Sequence, residues 1–491
     1  KEKDVCPYFL SRNGTVQKQA DIFFMPYNYL VDPTVRASLP DIDWQNSVVI
    51  IDEAHNLESV CTDSTSFELS AALISVCIKE CDLLIVHLRD EMASLGGMTM
   101  SEEDLSADDV ATLRAILLKI EEDVDNIIIP GNGEKGLTES GAFIYELLAK
   151  VNITWDSKEA LLGVLRSGVN LFMGVRPNQK CHLEKFLKCM NILFRNGLNP
   201  QIAKEAYRTH FYYPVEYGNR SNNNKNKRST SFFGGGSNNN VNNAKKRRGK
   251  TLAFWCFSPG VAMVDIYKLG VRSIILTSGT LSPMDSVESE LRLPFKIRLE
   301  NSHVVTGRQV WVGTLKTGPS KKLLNSSYNN RDKAEYKEEL GRTICNVLRQ
   351  IPNGLLVFFP SYSVMDRCVS FWKENRGGYL WKQIESRKDA FVEPRGSSLF
   401  NAMVRNFDAQ AKTERGAIFF GVCRGKASEG IDFPDHCARG VIITGIPYAP
   451  HKNPQVELKR KYLDDNKRLG KTHLDGKTWY VQTALRAINQ A

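Results

Sequence analysis

No apolar run in this 491-residue chain approaches the ~20 residues needed to cross a bilayer. The first residues, Lys1-Glu2-Lys3-Asp4, are charged where a secretory leader would be apolar. No membrane partner is therefore expected. The eleven cysteines are scattered, without the dense framework of a small secreted domain, which suits a reducing compartment. A further absence concerns charge. From Gly218 to Lys250 there is no acidic residue, while Arg220, Lys225, Lys227, Arg228, Lys245, Lys246, Arg247, Arg248 and Lys250 are basic. Those nine account for nearly all of the net charge of +10, so the remainder is close to neutral. Bulk charge thus says little about a nucleic-acid face, and that question falls to motifs. Finally, the string GxxxxGK(S/T), whose backbone cradles nucleotide phosphates, occurs nowhere.

What is present is ordinary in bulk and distinctive in detail. Hydrophobic residues make up 42% and charged residues 24%, and the length exceeds what one core fills, so more than one domain is expected. The most informative stretch is Val48-Val49-Ile50-Ile51-Asp52-Glu53-Ala54-His55. A short apolar run of this kind reads as a buried strand of a parallel sheet. Ligands of such sheets bind at the carboxyl ends of the strands, where the two carboxylates stand. The arrangement suits Asp52 holding Mg²⁺ through water and Glu53 polarising an attacking water.

Other strings follow in order. Gly270 to Met284 reads GVRSIILTSGTLSPM, a strand ending in Ser278-Gly279-Thr280. Gly354 to Tyr362 reads GLLVFFPSY, and Arg424 to Phe433 reads RGKASEGIDF ahead of a strand at 440–446. Together with Asp52-Glu-Ala-His55 and the terminal Ala487-Ile-Asn-Gln-Ala491, they resemble motifs II to V and the start of motif VI of superfamily-2 helicases. The resemblance is closest to the XPD-like iron–sulfur DNA helicases. Within that family, Cys6-Pro-Tyr-Phe-Leu-Ser-Arg12, Met25-Pro-Tyr-Asn-Tyr-Leu30, Trp255-Cys-Phe-Ser-Pro-Gly260 and Ile443-Thr-Gly-Ile-Pro-Tyr448 look like the group regulating telomere elongation. FANCJ-type helicases share many of the same strings.

The expected fold is α/β, with two RecA-like parallel-sheet domains and a helical Arch-type insertion in the first. Residues 1–20 are expected to end an iron–sulfur region and 21–65 to begin helicase domain 1, with Ile22-Phe23-Phe24-Met25 as a strand before a Pro-Tyr-Asn-Tyr turn. Residues 66–217 carry helical periodicity. Leu73, Cys77, Cys81, Leu84 and Leu88 form one stripe, and Leu113, Ile116, Leu117, Ile120, Val124 and Ile127 another. Ser106 and Asp109 form a capping box ahead of the second stripe. Residues 218–250 read as an Asn-rich, basic linker, in which Lys245-Lys246-Arg247-Arg248 is either a nuclear localisation signal or a phosphate-binding patch. Residues 251–304 are expected to complete domain 1, and 305–491 to form domain 2.

The resemblance implies an ATP-dependent 5′–3′ DNA helicase in the nucleus, acting in telomere maintenance, repair and recombination control. It would act on single-stranded and branched DNA, with the helical insertion as a docking surface for repair, replication or telomere proteins. ATP, Mg²⁺ and a 4Fe–4S cluster are the implied cofactors. Asp52, Glu53 and His55 are the candidate catalytic residues, His55 coupling the nucleotide site to Ser278, Gly279 and Thr280. Glu429, Gly430, Asp432 and Gln490 are candidates for sensing nucleotide, and Ser361, Tyr362 and Ser428 for contacting DNA, although Tyr362 reads equally well as a core or surface residue. Cys6 is a cluster ligand only through the resemblance, which places the other three ligands before Lys1. With no phosphate loop and no motif VI arginine, the chain reads as an internal piece of a longer helicase, expected to be inactive alone. The competing reading is a non-catalytic DNA- or protein-binding platform.

Overall fold

In the computed structural model, the described residues are 6, 13–39, 41–94, 105–131, 135–214, 249–396 and 398–490. They form two compact units, one within Lys1–Thr277 and Glu290–Pro294, the other within Ser278–Ser289 and Phe295–Ala491. By this division Ser278, Gly279 and Thr280 fall in the second unit. Most of the expected linker, 218–248, lies outside the described residues, as do Lys245 to Arg248.

The first unit contains strands β1 (Val48–Ile51), β2 (Phe67–Ser70), β3 (Leu137–Ser140), β4 (Tyr207–Tyr212), β5 (Thr251–Cys256) and β6 (Ser273–Leu276). β1 and β6 pair in parallel, Val48 opposite Ser273 and Ile51 opposite Leu276. The expected strand at 22–25 is not formed: Phe24 is 97% exposed, and Pro26 instead caps a helix at Tyr27–Val31. A run of four apolar residues is too short for periodicity to decide, and proline's fixed φ favours the helix start that follows.

The block between β2 and β4 is mostly helical. Ala71–Ser94 and Ala107–Asn126 bury the two stripes read from the sequence, with Leu73, Ile116 and Ile127 at the margins. Ser106 accepts from Asp109 N–H at 3.0 Å while Asp109 accepts from Ser106 N–H at 3.1 Å, closing the capping box. The helices Lys158–Val175 and Leu183–Leu193 complete this core through Leu165, Phe172, Phe186 and Met190. The block also contains an antiparallel sheet, β2-β5-β4-β3, which helical periodicity does not reveal. β5 pairs antiparallel with β2 and β4 and does not rejoin the parallel core as expected. All six of its residues are buried, and a strand covered on both faces looks alike in either kind of sheet.

The second unit is built on β7 (Gly354–Phe359), β8 (Asp389–Val392), β9 (Ala417–Val422) and β10 (Gly440–Ile443). The order is β10-β7-β9-β8 and every pair is parallel. β7 and β9 are buried at every position, as central strands of a doubly covered sheet require. Helices Ala334–Val347 and Tyr362–Glu374 cover one face, with Trp372 packed against Phe359 and Phe420. Helix Phe400–Ala411 covers the other through Phe407, which meets Phe419 edge-on. The chemistry-bearing loops follow β7, β8 and β9.

Candidate active site

β1 ends at Ile51, 2% exposed, and the acidic pair begins at the next residue. Thr277, just past β6, donates its N–H to the Ile51 carbonyl at 2.9 Å and accepts from Ala54 N–H at 3.0 Å. The Asp52–Glu53 turn is thereby fixed to the strand beside it. Glu53 has φ 47° and ψ 42°, a left-handed conformation unusual for a non-glycine residue and frequent at functional turns. It opens the short 3₁₀ turn Ala54–Asn56. Asp52 Oδ1 accepts from Glu53 N–H at 3.0 Å.

The side chains differ in environment. Glu53 is 60% exposed at its side chain, while the His55 ring is 8% exposed, and Glu53 Oε2 lies 3.1 Å from His55 Nδ1. A solvent-facing carboxylate oriented by a buried imidazole can take a proton from water. Asp52 is exposed at the strand end, which fits a magnesium ion held through water, since that ion keeps most of its hydration. Tyr27 was not singled out from the sequence, yet its hydroxyl donates to the Asp52 carbonyl. Burial, and then the charges of Asp52 and Glu53, raise its pKa above the usual phenolic value. Its signal was the Met25-Pro-Tyr-Asn-Tyr-Leu30 string, read as a turn and as a mark of the family resemblance but not as part of the site.

In the second unit, Ser278 Oγ accepts from Thr280 N–H at 3.2 Å, and Thr280 Oγ1 accepts from Gln490 Nε2 at 2.9 Å. Residues far apart in sequence are thus joined, although Gly279 has open space around it. Ser361 and Tyr362 are half-buried and both have partners within the unit. Ser361 caps the helix Tyr362–Glu374, its Oγ 3.4 Å from Val364 N–H, and Tyr362 donates its hydroxyl to Glu393 Oε1 at 2.9 Å. Ser428 is also turned inward, accepting from Gly425 N–H at 3.1 Å and lying 3.2 Å from the Val422 carbonyl. Asp432 and Gly430 are exposed, and no atom of the chain lies within 4 Å of where a Gly430 Cβ would stand. The Glu429 side chain lies outside the described residues. Glu393, unmentioned in the sequence reading, sits 3% exposed at the end of β8.

Cys6 is exposed and the other ten cysteines are buried. Burial pushes the Cys81 and Cys189 thiols up to about 12, where they are inert. Among the described residues no group of three or more His, Cys, Asp or Glu side chains can hold a metal ion. These residues alone therefore do not fit a 4Fe–4S cluster; Cys6 could supply one ligand. No helix among the described residues is long and apolar enough to cross a membrane.

A parallel strand pair ending in Asp-Glu-Ala-His, in one unit with a mostly helical block, is the arrangement expected of a helicase of this type. Three family models match: DEAD_2 over residues 1–74, the RTEL1 helicase ARCH domain over 76–259, and a helicase C-terminal domain over 344–491. A regulator of telomere elongation helicase 1 homolog from Arabidopsis thaliana is 41% identical over all of this chain and 46% of its own length. The Bos taurus regulator of telomere elongation helicase 1 is 37% identical over 99% of this chain and 40% of its own. A solved XPD helicase aligns with 99% of the chain and 68% of its own length, at 18% identity and a TM-score of 0.49. The chain belongs to the RTEL1-like helicases. It spans less than half the length of those two sequence relatives.

Proposed function

We propose that the complete protein is an ATP-dependent DNA helicase moving 5′ to 3′, of the kind that regulates telomere elongation. The observation carrying this reading is the acidic pair at the end of β1, with Glu53 exposed and held 3.1 Å from a buried His55. Asp52 would hold Mg²⁺ through water against the nucleotide phosphates, and Glu53 would accept the proton of the attacking water. Single-stranded and branched DNA are the substrates, and the nucleus is the compartment. Repair, replication or telomere proteins would dock on the helical block. Cys6 would supply one ligand of a 4Fe–4S cluster whose remaining ligands come from outside the described residues.

Glu53→Gln in the complete protein tests the reading. The amide preserves shape and removes the base, so ATP binding should persist while DNA-stimulated phosphate release falls by about a hundredfold or more. Near wild-type turnover in that variant would remove Glu53 from the reaction. No stimulation of the wild-type protein by single-stranded DNA would favour the non-catalytic platform.

A further inference from the structure

We propose that Glu393 is a positioning residue that ties Tyr362, after β7, to the turn after β9 that leads into Ser428-Glu-Gly-Ile-Asp432. The inference rests on the helicase reading above. Glu393 N–H donates to the Phe420 carbonyl at 2.9 Å, extending the β8–β9 ladder by one residue and fixing the backbone. Its side chain then bridges outward in two directions. Oε1 accepts the Tyr362 hydroxyl at 2.9 Å, and Oε2 accepts Val422 N–H at 2.9 Å. One carboxylate, on a residue 3% exposed just past β8, thus holds the last residue of β9 and the first residue of the helix that follows β7.

The turn above it is shaped around that carboxylate. Arg424 takes the left-handed conformation at φ 60°, and Gly425 N–H returns to the Val422 carbonyl at 2.9 Å. A Cβ on Gly425 would stand 2.7 Å from the Val422 oxygen and 3.0 and 3.1 Å from the two Glu393 oxygens. Only glycine lets the turn lie so close over the acid. The Tyr362 pKa is pushed up to about 12, burial first and then the Glu393 hydrogen bond and charge, so the phenol stays a donor. A carboxylate accepts at both oxygens and suits two fixed donors, whereas a hydrophobic side chain would leave both unpaired. Its expense in a buried place is matched by what it joins: the Ser361-Tyr362 segment and the entry to Ser428–Asp432, two stretches proposed to respond to DNA and nucleotide.

The test uses the full-length protein in wild-type, E393A, E393Q and Y362F forms, each checked for cooperative unfolding and a native far-ultraviolet circular dichroism spectrum. E393A should lower the DNA-stimulated kcat about tenfold with KM for ATP within about twofold, the cost of leaving buried donors unpaired. E393Q keeps an acceptor for Val422 and should recover most of that loss. Unchanged kcat in E393A, or an E393Q as defective as E393A, overturns the proposal. If E393A fails to fold, Y362F decides: it should lose about threefold, and no loss overturns the idea. Amide exchange at Val422 gives a readout independent of activity. It should accelerate in every folded Glu393 variant that lowers kcat, and unchanged protection overturns the tie whatever the helicase assay shows. A wild-type protein without DNA-stimulated hydrolysis would count against the helicase reading itself.

Discussion

The stability of the first unit should fall as pH drops below neutrality, through one histidine. His210 on β4 is 1% exposed, with its ring stacked 5.0 Å from Trp255 and 5.6 Å from Tyr212. Its Nδ1 lies 2.8 Å from Thr138 Oγ1, and Nε2 is buried with no hydrogen-bond partner among the described residues. A second proton would have to go where nothing accepts it. Burial accordingly lowers the pKa from the ordinary 6.5 to about 4. The unfolded chain then binds more protons than the folded one between those values, so the stability is whole above the unfolded pKa and drains away toward the folded one. From about pH 7 to about pH 4.5 the linkage amounts to roughly 2 kcal/mol after allowance for solvent screening. His210→Phe keeps the stack and removes the titration. Urea unfolding of both proteins across that range, followed by near-ultraviolet circular dichroism, isolates the effect from carboxylates common to both. Wild type should lose roughly 2 kcal/mol relative to the variant on acidification. A difference that stays constant with pH would refute the assignment.

Two further outcomes follow from contacts in the same unit. Asp32 is 2% exposed, caps the helix Pro33–Arg36 at Thr34 N–H (3.0 Å), and takes Lys188 Nζ at 2.9 Å from the helical block. Asp32→Ala should cost about 1–3 kcal/mol in denaturant unfolding and Asp32→Asn distinctly less, since the amide keeps the cap; equal losses would deny the cap any weight. Tyr27→Phe removes the donor to the Asp52 carbonyl and should lower kcat for ATP about three- to tenfold with KM for ATP little changed. Unchanged turnover in steady-state phosphate release would make that hydrogen bond irrelevant to the acidic turn.

Helical periodicity and capping were legible because they are local. The stripe from Leu113 to Val124 and the Ser106–Asp109 box need only residues three or four apart, and both are present as read. Strand partners are not local. Thr251–Cys256 and Gly354–Phe359 are both fully buried runs of six, yet one is antiparallel in the helical block and the other parallel in the second unit. Nothing within either run states which neighbours will cover it. The same gap explains Ile22–Met25, apolar in sequence and without a strand in the structure.

An acidic residue after an apolar run is the pattern that singled out Asp52, and the shorter run Ala390-Phe391-Val392 likewise leads into Glu393. The two carboxylates nevertheless differ in chemistry. Asp52 is exposed at the end of a four-residue strand, where a hydrated ion can reach it. Glu393 is covered by the turn after β9 and has both oxygens engaged by the protein's own donors. What separates an exposed carboxylate from a covered, doubly engaged one is the loop that follows a neighbouring strand: in the second unit, Arg424 in a left-handed turn and a glycine at 425 without a Cβ to keep it away. The strand pattern locates the acid, and the neighbouring loop decides whether it faces solvent or serves the fold.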